Sequence, residues 1–299
     1  MKIEDVKKVL ILGAGTMGQQ IGFQCALHGY DVVLYDITED VFENALTRIR
    51  KMASGMAGRG KITREQAQNA LMRITTTTDP EEAAREADII SESVPEDPQL
   101  KGRVFARFNK LCPPRTIFTT NTSTLVPSMF AKETGRPARF TAFHFHDIRT
   151  NNVVDIMPHP GTSPETVDLI KDFAESIGQI AIVLHKEQNG YVFNTMLTKW
   201  FEAALTLAAN GVASVEDIDR SWMGVMNAPT GPFGIMDQIG LSTVWIISEY
   251  WANENNDPQA KINADFVKRY VDKELLGAKS GQGFYTYPDA SYRRPGFLK

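Results

Sequence analysis

A glycine-rich turn between an apolar run and a helical pattern is the feature that most constrains this fold. The apolar residues 9–12 lead into Gly13, Gly15 and Gly18, spaced as G-x-G-x-x-G. Gly13 permits a tight turn, Gly15 lets a pyrophosphate approach the backbone, and Gly18 lets the helix pack closely on the strand. The pyrophosphate then lies at the helix N-terminus. The pattern predicts a dinucleotide site whose contacts are Gly13, Gly15, Thr16, Met17 and Gly18.

An acid at the end of the second apolar run indicates which dinucleotide binds. Residues 32–34 are apolar, and Asp36 follows them, eighteen residues after Gly18. A carboxylate in this place accepts hydrogen bonds from a ribose hydroxyl, and its charge repels a 2′-phosphate. The sequence therefore predicts NAD, and not NADP, as the cofactor.

Composition is that of an ordinary globular protein. The 299 residues are 42% hydrophobic and 23% charged, which is enough chain for two domains and a sizeable core. The net charge of −4 gives no reason to expect nucleic acid or an anionic membrane as a partner. No apolar run reaches the length that a bilayer crossing requires.

Cysteine content and the position of the first strand bear on the compartment. Cys25 and Cys112 lie far apart and lack metal-ligand spacing, which favours a reducing compartment without disulfides and predicts no metal site. The first strand is expected within ten residues of Met1, which leaves no room for a cleavable targeting segment. We therefore expect a soluble, cytoplasmic protein of the size of an enzyme.

The first half of the chain alternates apolar runs with helical patterns, which is typical of βαβ units. Strands are expected near residues 9–12, 32–34, 74–78, 87–91, 116–119, 139–145, 153–157 and 180–184. Helical patterns dominate after about residue 187, near residues 190–209, from 214 onwards, and near 241–251 and 264–275. The predicted fold class is α/β, with a Rossmann-type doubly wound, mostly parallel sheet over residues 1–187 and an all-helical domain over residues 188–299.

Several polar residues fall near the ends of these elements, where hydride-transfer chemistry could be placed. Ser123 follows one strand, His144 lies near the end of the next, and Asn194 is early in the helical half. The carboxyl ends of strands meet at the cofactor crevice, so Ser123 and His144 are expected to face the nicotinamide. Histidine can act as general acid and base near neutral pH. A carboxylate would fix its tautomer, and Asp155 is the nearest candidate, with Asp147 as a rival.

The chain resembles the L-3-hydroxyacyl-CoA dehydrogenases over nearly its whole length. The family's Asn-Thr-Ser-Ser-Leu segment corresponds to residues 121–125, and the start of its His-Phe-Phe-Asn-Pro segment corresponds to His144 and Phe145. Its Gly-Phe-Ile-Val-Asn segment corresponds to residues 190–194. Its Gly-Pro-Phe-Glu and Gly-x-Gly-Phe-Tyr segments correspond to residues 231–234 and 281–285.

The resemblance implies roles for individual residues. It makes His144 the general acid and base with Asp155 as its acidic partner, and it gives Ser123 and Asn194 the task of holding the reacting oxygens. The residues matched to the cofactor lining are Glu96, Lys101 and Asn121. It further implies NAD-dependent interconversion of a 3-hydroxyacyl-CoA and a 3-ketoacyl-CoA in fatty acid metabolism, by a homodimer that associates through its helical half.

Two departures from the family pattern lie near the histidine. Asp155 replaces a glutamate, and the eleven-residue spacing from His144 is one residue shorter than in the family. The family's Phe-Asn-Pro is replaced by residues 146–148 (His-Asp-Ile), with an Asn-Asn pair at 151–152. This arrangement resembles a diketoreductase-like branch that acts on carbonyls of substrates other than acyl-CoA. His146 shares a strand face with His144, so a substrate contact or a second proton carrier stays open.

Other functions also stay open on the sequence. The site could serve a free hydroxy acid, a sugar acid or a diketo ester, or the chain could be structural, as a crystallin recruited from this family is. The presence of both Ser123 and His144 argues against the structural role. A lysine-catalysed β-hydroxyacid dehydrogenase is a third class, and the missing Gly-x-x-x-Lys segment near Asn194 argues against it. A basic stretch over residues 48–64 fits either the phosphates of coenzyme A or a solvated helix face.

Overall fold

The computed structural model describes residues 1–299 and divides them into two compact units, Met1–Val192 and Phe193–Lys299. The sequence places the boundary after residue 187. Each unit has a hydrophobic core of its own.

Eight strands form a single sheet in the first unit, in the order β3-β2-β1-β4-β5-β6-β7-β8. The strands are β1 (Lys8–Leu12), β2 (Asp31–Tyr35), β3 (Ile74–Thr77), β4 (Ile89–Glu92), β5 (Ile117–Thr120), β6 (Phe140–Phe145), β7 (Val153–Pro158) and β8 (Ile180–Val183). All neighbouring strands are parallel except β6 and β7, which are antiparallel. This topology confirms the predicted doubly wound, mostly parallel sheet.

The central strand β1 shows why its sequence is apolar at every position. Val9 and Ile11 pack into the core on one face of the sheet, and Leu10 and Leu12 pack into the core on the other. Successive strand residues point to opposite faces, so a strand covered by helices on both sides needs a continuous apolar run. Strand β1 lies between β2 and β4, and Gly13 follows its last residue, Leu12.

Six helices belong to the first unit: α1 (Thr16–Leu27), α2 (Asp40–Gly58), α3 (Arg64–Met72), α4 (Pro80–Ala84), α5 (Pro98–Leu111) and α6 (Pro164–Ser176). Asp79 and Asp97 accept hydrogen bonds from the first turns of α4 and α5, as their Asp-Pro sequences predict. Helices α3 and α6 were not predicted. Arg64, the last residue of the basic stretch, begins α3, and the capping box of Thr63 and Gln66 is the signal that identifies this helix.

Five helices form the second unit: α7 (Phe193–Ala209), α8 (Val215–Met226), α9 (Pro232–Ile239), α10 (Leu241–Asn255) and α11 (Pro258–Val271). Ser214 caps α8, which begins where the helical pattern from residue 214 onwards predicts it. The last helix begins six residues before the predicted start at Ala264, because Asp257 caps it and Pro258 occupies its first turn. Helix α9 was not predicted. No helix in the chain combines the length and the apolar content that a membrane span needs.

Candidate active site

The glycine-rich turn has a backbone that only glycine fits at two of its positions. Gly13 has a φ of +102°, and a Cβ there would lie 2.8 Å from the carbonyl oxygen of Ser93. A Cβ on Gly18 would lie 1.9 Å from the carbonyl oxygen of Gly13. These two glycines therefore allow β1, the turn and α1 to pack together.

Gly15 differs from these two glycines, because a Cβ on it would meet no atom within 4 Å. The open space lies at the N-terminus of α1, where Gly15 is the N-cap, no side chain caps the first turn and no acid occurs in that turn. A first turn of this kind leaves N–H groups and a positive helix end for an anion. The structure of this turn fits the pyrophosphate of a dinucleotide, and Thr16 and Met17 are the first two residues of the helix that follows it.

Asp36 lies directly after β2 and next to this turn. One of its carboxylate oxygens, Oδ2, accepts a hydrogen bond of 2.8 Å from the N–H of Ala14, and the other accepts one of 2.8 Å from the N–H of Ile37. The carboxylate is thus held beside the glycine-rich turn, and its side chain is only partly buried. It carries the charge that suits a ribose diol and repels a 2′-phosphate.

A buried ion pair lies at the end of β4. Lys101 Nζ is 2.8 Å from Glu92 Oε1 and 3.2 Å from Glu96 Oε2, and it donates a bond of 3.2 Å to the carbonyl of Val94. The Lys101 and Glu92 side chains are 1% and 0% exposed. Burial raises the pKa of Glu92, although Lys101 favours the ionised form of this carboxyl. The three donors of Lys101 all have partners within the protein, and its contact with the cofactor stays a prediction.

Glu96 organises the loop after β5. Its Oε1 accepts hydrogen bonds from the hydroxyl of Thr122, from the N–H of Ser123 at 3.1 Å, and from both the N–H and the hydroxyl of Thr124. Burial acts to raise the pKa of Glu96, but the bonds from Thr122 and Thr124 and the nearby Lys101 outweigh it, and the pKa is lowered. The loop that carries Ser123 is therefore held by an ionised carboxylate, and the Ser123 side chain remains exposed.

Three titratable side chains meet where β6 pairs with β7. His144 lies directly opposite Asp155 in the antiparallel register, and His144 Nδ1 is 3.2 Å from Asp155 Oδ2. His146, the first residue after β6, places its Nε2 3.1 Å from the same oxygen. The two imidazole rings lie edge to face with centroids 4.7 Å apart. Asp155 Oδ2 therefore lies within hydrogen-bond distance of both histidines.

The electrostatics of this cluster follow from its burial. Burial lowers the pKa of His144, and the charge of His146 lowers it further, while the hydrogen bond to Asp155 opposes both effects. Burial acts to raise the pKa of Asp155, but the bonds from His144 and His146 prevail and hold it below its ordinary value. The arrangement favours a neutral His144 beside an ionised Asp155.

Tyr191 forms one wall of the cluster. Its ring stacks on His144 with centroids 4.6 Å apart and an interplanar angle of 15°, and its hydroxyl donates a bond of 2.7 Å to the carbonyl of Thr122. Its φ of 53° is left-handed, which costs about 1–2 kcal/mol for a residue with a side chain. Tyr191 was expected within a helix, but α7 begins only at Phe193. The stacking and the hydrogen bond hold Tyr191 in this conformation.

The remaining predicted residues lie in different places. Asn121 Oδ1 accepts a bond of 2.7 Å from the N–H of Phe145, which ties the end of β5 to the end of β6. Asp147, the rival acid, is paired with Arg149, and this pairing lowers the pKa of its carboxyl. Asn194 is the second residue of α7 in the second unit. The structure thus brings together His144 and Asp155, and separately Ser123 and Glu96.

Four residues of the site were not selected from the sequence as site residues. They are Glu92, Thr122, His146 as a partner of Asp155, and Tyr191. The alternation His-Phe-His at residues 144–146 predicts a shared face for the two histidines, but it does not indicate that both bind the same carboxylate. Nothing local indicates Glu92, because an acid at the end of a buried strand is ordinary without knowledge of its partner.

A doubly wound sheet with this turn and an acid after β2 is typical of a dinucleotide-binding protein. Comparison with known families makes the assignment specific. Residues 8–188 match the family model described as 3-hydroxyacyl-CoA dehydrogenase, NAD binding domain, and residues 190–287 match the model of the C-terminal domain of the same family. The chain belongs to the 3-hydroxyacyl-CoA dehydrogenase family and is an NAD-dependent oxidoreductase.

Individual relatives agree with the family. The chain is 32% identical over 286 residues to a probable 3-hydroxybutyryl-CoA dehydrogenase of Bacillus subtilis, covering 95% of this chain and 99% of the relative. It is 30% identical over 288 residues to the mitochondrial hydroxyacyl-coenzyme A dehydrogenase of Rattus norvegicus, covering 94% and 91%.

Solved structures show the same similarity. A diketoreductase that catalyses reactions of dicarbonyl compounds matches with a TM-score of 0.88 and 37% identity, over 94% of this chain and 99% of that one. The (S)-3-hydroxybutyryl-CoA dehydrogenase of Ralstonia eutropha matches with a TM-score of 0.85 and 28% identity, over 95% and 99%.

Proposed function

We propose that this enzyme interconverts a 3-hydroxyacyl-CoA and a 3-ketoacyl-CoA, with His144 as general acid and base. The observation that carries this proposal is the buried pair of His144 Nδ1 and Asp155 Oδ2, 3.2 Å apart. An ionised Asp155 accepts the Nδ1–H of His144, which leaves the lone pair of Nε2 available as a base. The family and its hydroxyacyl-CoA relatives support the choice of substrate.

The chain's own residues supply the proton chemistry. In the direction of oxidation, His144 Nε2 takes the proton of the substrate hydroxyl, and Asp155 stabilises the resulting imidazolium. In the direction of reduction, Nε2 returns this proton to the carbonyl oxygen. Tyr191 and Asp155 keep the His144 ring in one orientation. The roles of Ser123 and Asn194 in holding the reacting oxygens stay predictions from the family resemblance.

The NAD site is proposed to include Gly13, Gly15, Thr16, Met17 and Gly18 in the turn, with Asp36, Glu96, Lys101 and Asn121 around it. These residues would hold NAD, which would supply the hydride acceptor for oxidation of the alcohol and the hydride donor for reduction of the carbonyl. Glu96 and Lys101 are joined by an ion pair of 3.2 Å, so the loop after β5 and the start of α5 are fixed together. We propose residues 1–187 as the cofactor domain and residues 188–299 as the domain for substrate binding and dimerisation.

A second candidate substrate class is a dicarbonyl compound without coenzyme A. Two observations favour it: the similarity to the diketoreductase at 37% identity, and the His-Asp-Ile sequence at residues 146–148 in place of the family's Phe-Asn-Pro. His146 brings a polar imidazole to the side of His144, where the family has an apolar ring. The comparisons do not favour this class over the acyl-CoA class.

The experiment that decides between the two is NADH oxidation with acetoacetyl-CoA and with ethyl 3,5-diketohexanoate, each repeated with NADPH. We expect rapid turnover of the thioester with NADH and little with NADPH, because Asp36 repels the 2′-phosphate. Turnover of the diketo ester alone would assign the chain to the second class and leave the mechanism unchanged. NADH binding without turnover of either substrate would favour a structural role.

We also propose that the enzyme is a cytoplasmic homodimer that acts in fatty acid metabolism. Its two cysteines, Cys25 and Cys112, are buried free thiols, which suits a reducing compartment. The second unit exposes large apolar side chains, among them Val225 at 82%, Ile246 at 60% and Tyr250 at 56%. Exposed apolar side chains in such number mark an interface, for which a second copy of this chain is the proposed partner. Light scattering from the purified protein should give twice the chain mass.

A further inference from the structure

Three side chains of types that bind metals converge at the pairing of β6 with β7. The candidate ligand atoms of His144, His146 and Asp155 lie within 4.8 Å of one another. His146 Nε2 and His144 Nδ1 are 3.1 and 3.2 Å from Asp155 Oδ2. The sequence predicted no metal site, and the proton chemistry proposed above gives His146 no function.

We propose that His144, His146 and Asp155 form a site for a divalent transition-metal ion of the Zn²⁺ class, and that the bound ion inhibits the enzyme. The existence of the site rests on geometry alone. The inhibition rests on the proposed role of His144 as the base.

Two of the three distances between the ligand atoms are close to those found around such an ion. Zinc binds imidazole nitrogen and carboxylate oxygen at about 2.0–2.2 Å in tetrahedral geometry, so neighbouring ligand atoms lie roughly 3.3–3.6 Å apart. The two nitrogen–oxygen distances, 3.1 and 3.2 Å, are close to this separation. Two histidines and one carboxylate leave the fourth position of the ion to water, as in open zinc sites.

The fold holds these ligands in place without the ion. His144 lies in β6, His146 follows directly after the last residue of that strand, and Asp155 lies opposite His144 on β7. The side chains of His144 and Asp155 are 6% and 2% exposed, and Tyr191 stacks on the His144 ring. The His146 side chain is 15% exposed and gives the ion a route of entry from solvent. A phenylalanine at position 146, as in the family motif, would remove one ligand.

Inhibition follows from the two nitrogens of His144. A neutral imidazole binds a metal ion through its unprotonated nitrogen. When Nδ1 binds the ion, the single N–H proton of the neutral ring is carried by Nε2 instead of Nδ1. The ring remains neutral. Nε2 then has no lone pair with which to accept the hydroxyl proton of the substrate. The same change applies to His146, whose ring proton moves from Nε2 to Nδ1, and Asp155 binds as an anion.

The test begins with binding alone. Metal-free protein, without cofactor or substrate, is titrated with Zn²⁺ by calorimetry and with Co²⁺ by visible absorption, which reports tetrahedral coordination. We expect one ion per chain. His146→Phe should weaken binding by at least about 10–100-fold, since loss of even a second-sphere partner costs that much affinity. His185→Phe is the matched control, because His185 is exposed after β8 and outside the cluster.

The second part measures NADH oxidation with increasing Zn²⁺, each variant being scaled to its own metal-free rate. We expect Zn²⁺ to inhibit the wild type and the His185→Phe variant at the concentration at which it binds, and His146→Phe to require at least about 10–100-fold more. Equal binding by His146→Phe and wild type, or no binding by either, would overturn the site. Zn²⁺ binding without loss of rate would overturn the inhibition.

Two controls keep these outcomes separate. Loss of NADH binding would show that the His146→Phe variant has not folded. In that case His146→Gln, which also removes the imidazole, takes its place. The binding arm contains no substrate, so a failed thioester assay would contradict the proposed function and leave the metal site standing. The inhibition arm uses whichever of the two carbonyl substrates is turned over.

Discussion

At the scale of single residues, Asp155 is the group on which the proposed chemistry depends. Its Oδ2 receives both His144 Nδ1 and His146 Nε2. An ionised carboxylate can only accept hydrogen bonds, so each ring must present an N–H to it and keep its lone pair on the other nitrogen. One acid therefore fixes two tautomers, and the shorter side chain of aspartate is sufficient to reach both rings.

Replacement of His144 tests the assigned base. His144→Ala should lower kcat for both directions by at least about 10²–10⁴-fold, the usual contribution of a general acid and base. NADH affinity, measured by fluorescence titration, should stay near that of the wild type, because His144 is not among the residues proposed to hold the cofactor.

His185→Ala is the control for this substitution, since it removes an exposed histidine distant in sequence from the cluster. Its turnover should equal that of the wild type. His144→Gln, which preserves more of the side-chain volume, guards against a packing defect in the alanine variant. Turnover within a few-fold of wild type in either His144 variant would show that another group moves the proton.

The sequence predicts those site residues that belong to a local motif. It does not predict those whose position depends on how two strands align. The glycine spacing and Asp36 predict the cofactor turn without any structure. The choice between Asp155 and Asp147 could not be made from spacing, because it depends on how β6 aligns with β7. The structure places Asp155 opposite His144 and pairs Asp147 with Arg149. Tyr191 joins the site through a left-handed turn that no motif predicts.

At the scale of elements, the turn between β1 and α1 combines a packing requirement with a binding requirement. Gly18 meets the packing requirement, since its missing Cβ would lie 1.9 Å from the Gly13 carbonyl. Gly15 has open space where its Cβ would be, and its φ of −71° suits any residue. The two requirements therefore fall on different glycines and can be separated by substitution.

Gly15→Ala and Gly18→Ala form a matched pair for this purpose. Gly15→Ala should keep the unfolding midpoint of wild type and weaken NADH binding, because its methyl group occupies the space left for the pyrophosphate. Gly18→Ala should lose about 1–3 kcal/mol of folding free energy through overpacking and also bind NADH weakly. Thermal unfolding and NADH titration measure the two effects. Equal destabilisation by both variants would contradict the separation.

The pairing of β6 with β7 accounts for the shortened distance between histidine and acid. Residues 141–145 pair with residues 154–158 without interruption, so His144 and Asp155 remain directly opposite. The missing residue is therefore accommodated in the connection between the strands, residues 146–152. Sequence spacing alone cannot distinguish a shortened loop from a shifted ladder, whereas a one-residue shift of the ladder would turn Asp155 to the other face of the sheet.

A cap residue followed by proline marks the start of several helices, although only two of these starts were predicted from it. Asp79-Pro80 and Asp97-Pro98 predict the starts of α4 and α5, and the same type of signal at Ser163-Pro164 and Asp257-Pro258 marks α6 and α11. Helix α9 has only eight residues and opens with glycine and proline, so its pattern is indistinguishable from a turn. Its stability comes from tertiary contacts that the sequence does not display.

At the scale of the whole molecule, two buried carboxylates hold the C-terminal segment of the second unit. Asp219 accepts hydrogen bonds from the N–H groups of Phe233 and Gly234 and from the hydroxyl of Tyr285. Asp237 accepts bonds from the N–H groups of Phe284 and Tyr285. Burial raises the pKa of Asp219 to about 6 against these hydrogen bonds, and it also raises the pKa of Asp237.

The raised pKa of Asp219 predicts a particular pH dependence of stability. Between its unfolded pKa near 3.8 and its folded pKa of about 6, the folded state holds a proton that the unfolded state has lost. Its contribution to stability is therefore complete below about pH 4 and is lost as the pH rises to about 6. Asp219→Asn cannot titrate, so the stability deficit of this variant should be largest near pH 4 and shrink by about 2–3 kcal/mol towards pH 7.

Tryptophan fluorescence measures this effect selectively, because Trp200, Trp222, Trp245 and Trp251 all lie in the second unit. Thermal unfolding of wild type and variant between pH 4 and pH 7 gives the deficit at each pH. The opposing influence of His144, whose lowered pKa makes the protein less stable as the pH falls, is the same in wild type and variant and cancels in the deficit. A deficit that grows with pH would contradict the assignment to Asp219.

The antiparallel pairing of β6 and β7 also bears on how new specificities arise in such enzymes. The strands carry His144 and Asp155, while the seven residues between the strands carry the replacement of the family's Phe-Asn-Pro segment. Length and composition can change in this connection while the acid and the histidine keep their register. A lineage can therefore explore new substrates by mutation of one short exposed segment, and a designer can graft such segments between relatives, without rebuilding the proton-transfer pair each time.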